Sequence, residues 1–343
     1  MIWIYLTLIL IGSFCVSVFF TRYLVKFLTR KGLIDVPNAR SSHKIPTPRG
    51  GGLAIIVSFL IGAFLVYILI EQAVLPGLFF FAGIIIIALT SFFDDKFDLP
   101  AYLRFGLHTL AAVLVIFETG GFEKFPLPDP FSFSLGIFNY PVTFFWIVAV
   151  INIYNFLDGI DGYAGTQAIL AGFGIAFLDV FGAGFFIGTV VMASCLGFLL
   201  YNWHPAKIFM GDIGSATLGF IFATIPLYFT ATSLNIGIYS IVIFLWFFLA
   251  DGAFTIIRRA INGEKIWEAH RSHLYQQMVF YGNTHSKVVL MVMTPSLILT
   301  LSFLFLYYFY VNYLILSFIL ALIFFGYYLK RVMDRKRNAE QVE

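Results

Sequence analysis

The sequence predicts an all-α, polytopic integral membrane protein of about eleven transmembrane helices. Three observations carry that reading. Only 11% of the 343 residues are charged, 60% are hydrophobic, and 20 of the 21 Lys and Arg residues fall on one side of an alternating series of loops. The apolar residues form runs near the roughly 20 residues that a helix needs to cross a hydrocarbon core.

Taken in order, the first run covers residues 3–27. It lacks the basic start and small-residue cleavage site of a signal peptide, so it reads as a retained span. Runs at 52–70, 75–92, 101–118 and 140–156 follow, each bounded by polar or Gly/Pro-rich loops. The next three, 162–180, 184–202 and 213–230, include the two least regular, because the seventh and eighth have glycine-rich ends. The last three are 236–257, 287–308 and 311–329. With these spans, Lys124 alone lies on the less basic face. The positive-inside bias makes the basic face cytoplasmic, puts the N-terminus outside and the C-terminus inside, and requires an odd number of crossings. Cys15 and Cys195 sit inside apolar runs and do not read as a disulfide framework. No internal repeat is visible, which disfavours a transporter built from duplicated halves. The chain reads as a single transmembrane domain, 1–343.

The polar chemistry gathers in five loops of the basic face, 35–52, 94–98, 152–162, 202–215 and 264–276. In the second, Asp94, Asp95 and Asp98 crowd negative charge at a helix end, which suits a base or a cation site. In "NIYNFLDGIDG", Asn152, Asn155, Asp158 and Asp161 recur at near-helical spacing, and the glycines that follow let backbone N–H groups approach a ligand. In "FMGDIGS", Asp212 stands between glycines before a new span, as a Mg²⁺ ligand completed by substrate phosphates and water would. These acids also have ordinary readings, as helix N-caps at 94–98 and at Asp212 and as an Asx-rich turn closing a helix at 152–162. His270, Arg271 and His273 supply donors suited to phosphate oxygens. "HKIPTPRGGG", with His43 and Lys44, reads as a shaped loop over a ligand, the weakest of the signals. Zinc is a poor reading, since neither a thiolate set nor an HExxH helix is present. Acids for a metal beside a basic patch imply a phosphate or pyrophosphate substrate. A membrane-embedded partner would supply the nucleophile.

These motifs, "NFLDGIDG" with "KIFMGDIGS" above all, resemble the polyprenyl-phosphate N-acetylhexosamine-1-phosphate transferases, relatives of the phospho-MurNAc-pentapeptide transferases. The similarity runs from about residue 35 to residue 276 in the same motif order. It implies transfer of an N-acetylated amino-sugar 1-phosphate from a UDP-sugar to undecaprenyl phosphate, releasing UMP, with Mg²⁺ or Mn²⁺. It implies an active site on the cytoplasmic loops at about 28–51, 93–100, 155–162, 203–212 and 258–286 of a bacterial inner-membrane enzyme. Carried over by position, it makes Asp94, Asp95 and Asp158 catalytic and Asp212 the metal ligand. His43, Lys44, Asn152, Asn155, Asp161, Phe209, His270, Arg271 and His273 become substrate contacts, with Phe209 stacking near uracil. Tyr275 and Gln276 stand where many relatives have further histidines, which points to the branch that starts O-antigen chains in lipopolysaccharide synthesis and away from a muramyl-pentapeptide donor. The expected partners are the two substrates and the bilayer, with a homodimer as the candidate assembly and no nucleic acid. The rival readings are a Mg²⁺-dependent membrane prenyltransferase and a secondary transporter.

Overall fold

The computed structural model describes residues 2–37, 45–97, 99–230, 233–265 and 270–340. In chain order these form α1 (Ile2–Lys31), β1 (Ile34–Asp35), β2 (Thr47–Pro48), α2 (Gly52–Leu69), α3 (Leu78–Phe97), α4 (Ala101–Thr119), α5 (Asn139–Phe156), α6 (Tyr163–Leu178), α7 (Ala183–Asn202), α8 (Asp212–Thr224), α9 (Leu234–Phe244), α10 (Trp246–Ile261), α11 (Leu274–Phe280), α12 (His285–Phe309) and α13 (Ile315–Glu340). The two strands make one small antiparallel hairpin, with Ile34 opposite Pro48 and Asp35 opposite Thr47.

Among the described residues, eight helices are long and apolar enough to cross a membrane. A ninth crossing follows if α9 and α10, bent by 77° at their break, count as one span. The chain is therefore an integral membrane protein. The remaining two apolar runs of the sequence are α6 and α8, both shorter. They are short because they are inside. Every residue of α8 from Ile213 to Thr224 is buried, and it packs between α3 and α5. At 1.5 Å per residue its 13 residues rise only about 20 Å, less than the roughly 30 Å hydrocarbon core. A 3₁₀ turn from Ile225 to Tyr228 extends it.

Helices α6 and α7 lie against one another, and α7 also contacts α1 and α2. Around this centre, α1, α4, α5 and α13 present mostly exposed apolar faces, the arrangement that lipid as a solvent allows. One polar contact inside the bundle links three helices: Ser58 Oγ donates to the Ser13 carbonyl at 2.5 Å and lies 3.0 Å from Ser194 Oγ. The break between α9 and α10 exposes carbonyl groups that a continuous helix would satisfy. Buried Gln167 meets one of them, donating its amide N–H to the Phe244 carbonyl at 2.7 Å. The segment 119–139 is irregular, as its prolines and glycines predict, with Phe125 and Phe133 stacked at 5.0 Å.

Candidate active site

Two loops that are far apart in the sequence are sewn together by their backbones. Phe209 N–H donates to the Pro48 carbonyl at 2.8 Å, Gly51 N–H to the Phe209 carbonyl at 2.8 Å, and Gly52 N–H to the Met210 carbonyl at 2.8 Å. Gly52 and Gly214 then let the first turns of α2 and α8 approach so closely that a Cβ on Gly52 would overlap the Gly214 backbone. This seam carries Arg49 to Asp212. The Arg49 guanidinium bridges the two sides of the site, pairing with Asp212 and lying 3.2 Å from Asp95. Burial works against its charge, but Asp212 and Asp95 more than compensate and raise its pKa above the ordinary value.

These groups border a cavity of about 230 Å³ lined by Asp35, Arg49, Asn155, Asp158, Asp161, Asn202, Phe209, Asp212, Gln276 and His285 among others. Five lining or bordering carboxylates, those of Asp35, Asp95, Asp158, Asp161 and Asp212, stand around the Arg49 guanidinium, which among the described residues is the one Lys or Arg in that lining. Asp158 reports that imbalance. Burial, reinforced by the charges of Asp212 and Asp95 and only partly offset by Arg49, pushes its pKa up to about 7. Oxygen donors with surplus negative charge fit a hard divalent cation better than a soft one.

Beside this cavity lies a second, of about 540 Å³, lined by Ile45, Thr47, His204, Pro205, Val279, Asn283 and Thr284 and sharing Asp161, Phe209 and His285 with the first. Asp161 accepts from Ala206 N–H at 3.2 Å, and its Oδ2 lies 2.6 Å from His204 Nδ1 and 3.2 Å from His285 Nδ1. Burial favours its neutral form, but the two imidazoles and the Ala206 N–H prevail and hold its pKa below the usual carboxylate range. Among the described residues, Asp161, His204 and His285 form a group whose geometry could accept a metal ion.

Not every residue singled out in the sequence faces these cavities. Asp94 is turned aside: its carboxylate accepts from Leu99 N–H at 2.9 Å and from Arg104 at 2.7 Å, fixing the corner between α3 and α4. Asn152 donates to the Val148 carbonyl of its own helix at 2.7 Å, whereas Asn155 lines the first cavity and accepts from Ser215 Oγ at 2.5 Å. His273 is buried with its Nδ1 3.2 Å from Asp251, whose carboxylate also accepts from Leu274 and Tyr275 N–H. Asp251 thereby ties the start of α11 to α10. The His270 ring lies tilted against that of His273 at 4.9 Å, and burial with nearby His273 and Arg259 drives its pKa down to about 4. It is a neutral donor at pH 7 and adds no positive charge. Arg271 lies over the Phe280 ring. His43, Lys44 and Asp98 lie outside the described residues.

Sequence reasoning passed over Arg49, Asp35, Asn202, His204 and His285 as site residues. Arg49 lay within the stretch that read as the weakest signal, Asp35 stood ahead of it in the same loop, and His285 fell just before the run at 287–308. Asn202 also carried a signal only visible in three dimensions: its side chain receives Gly162 N–H and donates to the Ile208 carbonyl, joining two motif loops.

Residues 77–230 match the family described as glycosyl transferase family 4. The chain is 34% identical over 278 residues to a probable undecaprenyl-phosphate N-acetylglucosaminyl 1-phosphate transferase of Bacillus subtilis, covering 79% of this chain and 76% of that protein. It is 28% identical to a decaprenyl-phosphate N-acetylglucosaminephosphotransferase of Mycobacterium leprae, covering 84% and 80%. A phospho-N-acetylmuramoyl-pentapeptide-transferase of Prochlorococcus marinus is 29% identical, with coverage of 71% and 72%. With its apolar helices and its motif loops joined around one acid-rich cavity, the chain belongs to glycosyl transferase family 4, among relatives named as phosphosugar transferases.

Proposed function

We propose that this protein transfers an N-acetylated amino-sugar 1-phosphate from a UDP-sugar to undecaprenyl phosphate, the first membrane step of O-antigen or a related cell-surface polysaccharide. The observation that carries the reading is Arg49 held between Asp95 and Asp212 at the rim of a cavity that also contains Asp158. Such a cavity at the ends of membrane helices can hold a diphosphate beside a lipid-borne phosphate. The surplus of carboxylates calls for a divalent cation, with Asp212 as its ligand; bound Mg²⁺ would neutralise diphosphate charge. An acceptor phosphate oxygen attacks the β-phosphorus of the donor, the bond to the UMP oxygen breaks, and UMP leaves. The acceptor is mostly dianionic at pH 7 because its second pKa is near 6, so removal of a proton contributes little. Positioning and charge compensation therefore supply most of the rate. Arg49 and Asn155 orient the diphosphate and Asp95 sets Arg49, while His273 supports the corner between α10 and α11 through Asp251, with His270 and Arg271 beside it. His43 and Lys44 are further substrate contacts in this reading. Asp94 acts by holding the α3–α4 corner.

In this reading all eleven apolar runs are crossings, α6 and α8 included, with the N-terminus outside and the five motif loops facing the cytoplasm of the bacterial inner membrane. The whole chain is one catalytic domain. The test is to incubate membranes containing the protein with undecaprenyl phosphate and a panel of labelled UDP-sugars. Label in a lipid of the mass of undecaprenyl-diphosphate-sugar is expected for one or more N-acetylated amino sugars. Label that stays wholly water-soluble with every donor would refute the proposal.

A further inference from the structure

The second cavity differs in chemistry from the first. Among the described residues its lining contains neither Lys nor Arg; it combines Ile45, Pro205, Val279 and the Phe209 ring with Thr47, Asn283, Thr284 and His204. A diphosphate gains little there. An uncharged ring bearing hydroxyl or amide groups gains apolar contact and hydrogen bonds together.

Within that lining, His204 is held in one orientation. An ionised carboxylate can only accept, so at 2.6 Å from Asp161 Oδ2 the Nδ1 of His204 must carry the proton. In a neutral imidazole this leaves Nε2 with a lone pair, and the ring, whose side chain is 35% exposed, borders the cavity. Asp161 is itself fixed: Ala206 N–H donates to its carboxylate, and buried His285 lies 3.2 Å from both its backbone nitrogen and its Oδ2. The 2.6 Å separation is that of a hydrogen bond and is short for two ligands of one metal ion, whose donor atoms each stand about 2 Å from the ion at wide angles.

We infer that His204 is a substrate-binding residue that presents Nε2 as an acceptor to a hydroxyl or N–H in the uncharged part of the nucleotide-sugar, with Asp161 and His285 as its positioning residues. The inference rests on the function proposed above and adds a division of the donor: diphosphate in the acid-rich cavity, an uncharged ring in its neighbour. Asp161 is thereby a support for an imidazole and neither a base nor a metal ligand.

The test uses the full-length protein in nanodiscs with undecaprenyl phosphate and UDP-N-acetylglucosamine, or whichever UDP-sugar the panel identifies. His204→Phe keeps a ring and removes the acceptor; the donor KM is expected to rise about tenfold while the KM for the lipid stays in place. His204→Gln, whose amide oxygen can accept, should recover part of the loss. Asp161→Asn should raise the donor KM in the same direction, and the double variant should be no worse than the more affected single one, as coupled residues behave. Inhibition by UMP and UDP separates the two sources of the contact: weakened inhibition in His204→Phe assigns the contact to the nucleoside, and unchanged inhibition assigns it to the sugar. An unmoved donor KM in His204→Phe, or equal losses for both substrates, would overturn the inference. So would a stoichiometric transition metal in the purified protein that is lost with His204→Phe. If the wild-type protein makes no lipid product from any donor, the proposed function itself fails, which is a different result from an unchanged KM.

Discussion

At the scale of single residues, adjacency in the sequence conceals a division of labour. Asp94 and Asp95 are neighbours, yet one is tied to Arg104 and the other to Arg49. Asp95→Asn should lower kcat/KM by about 100-fold, the order expected when a group that sets active-site charge is removed. Asp94→Asn should instead lower the melting temperature, by the equivalent of about 1 kcal/mol, because its partner Arg104 is well exposed. Comparable catalytic losses in the two variants would contradict this separation. Asp158 makes the site sensitive to pH. Its folded pKa of about 7 lies above the ordinary 3.8, so the folded protein keeps a proton that the unfolded chain has released. That contribution to stability is present below the unfolded pKa and fades as pH rises through the folded one. A divalent cation competes with that proton, so apparent Mg²⁺ affinity in turnover assays should strengthen between about pH 6 and about pH 8. Asp158→Asn should flatten the profile, and an equally steep profile in that variant would assign the titration to another group.

At the scale of elements, the long spans were legible because lipid imposes one rule on every exposed helix: about 20 apolar residues. That rule weakens inside the bundle. Helices α6 and α8 are shielded by protein and need not have full length, which is why the glycine-rich eighth run was difficult to delimit. The bend between α9 and α10 was not legible either, since the group that meets the freed Phe244 carbonyl, Gln167, comes from another helix. The motif loops were found by their acids, but their mutual arrangement was not, because it is made by main-chain bonds between residues 48–52 and residues 209–210. The closeness of α2 and α8 can be tested at one glycine. Gly52→Ala must push α2 away from Gly214, and is expected to cost about 1–3 kcal/mol of stability in thermal unfolding together with most of the activity. Wild-type stability in that variant would show that the two helices can part without consequence.

At the scale of the whole molecule, the placement of charge defines the two faces. The proposed orientation can be measured with an impermeant maleimide on intact cells, using a chain with Cys15→Ala and Cys195→Ala as background. Ser134→Cys in the outer segment should label at once, and Asn262→Cys after α10 should label only after the membrane is opened. The reverse pattern would invert the topology and place the active site outside. The apolar helices were readable from hydropathy, whereas the imidazole pair around Asp161 came from residues 161, 204 and 285, which only the folded bundle brings together. The seam between residues 48–52 and residues 209–210 is built from backbone groups. Away from Gly51 and Gly52, where an added Cβ would collide, the register that sets Arg49 against Asp212 does not rest on the side chains of Ile45 and Thr47. If the proposed function holds, a library randomised at Ile45 and Thr47, on the wall of the second cavity, would sample new donor shapes around an unaltered acid-rich cavity.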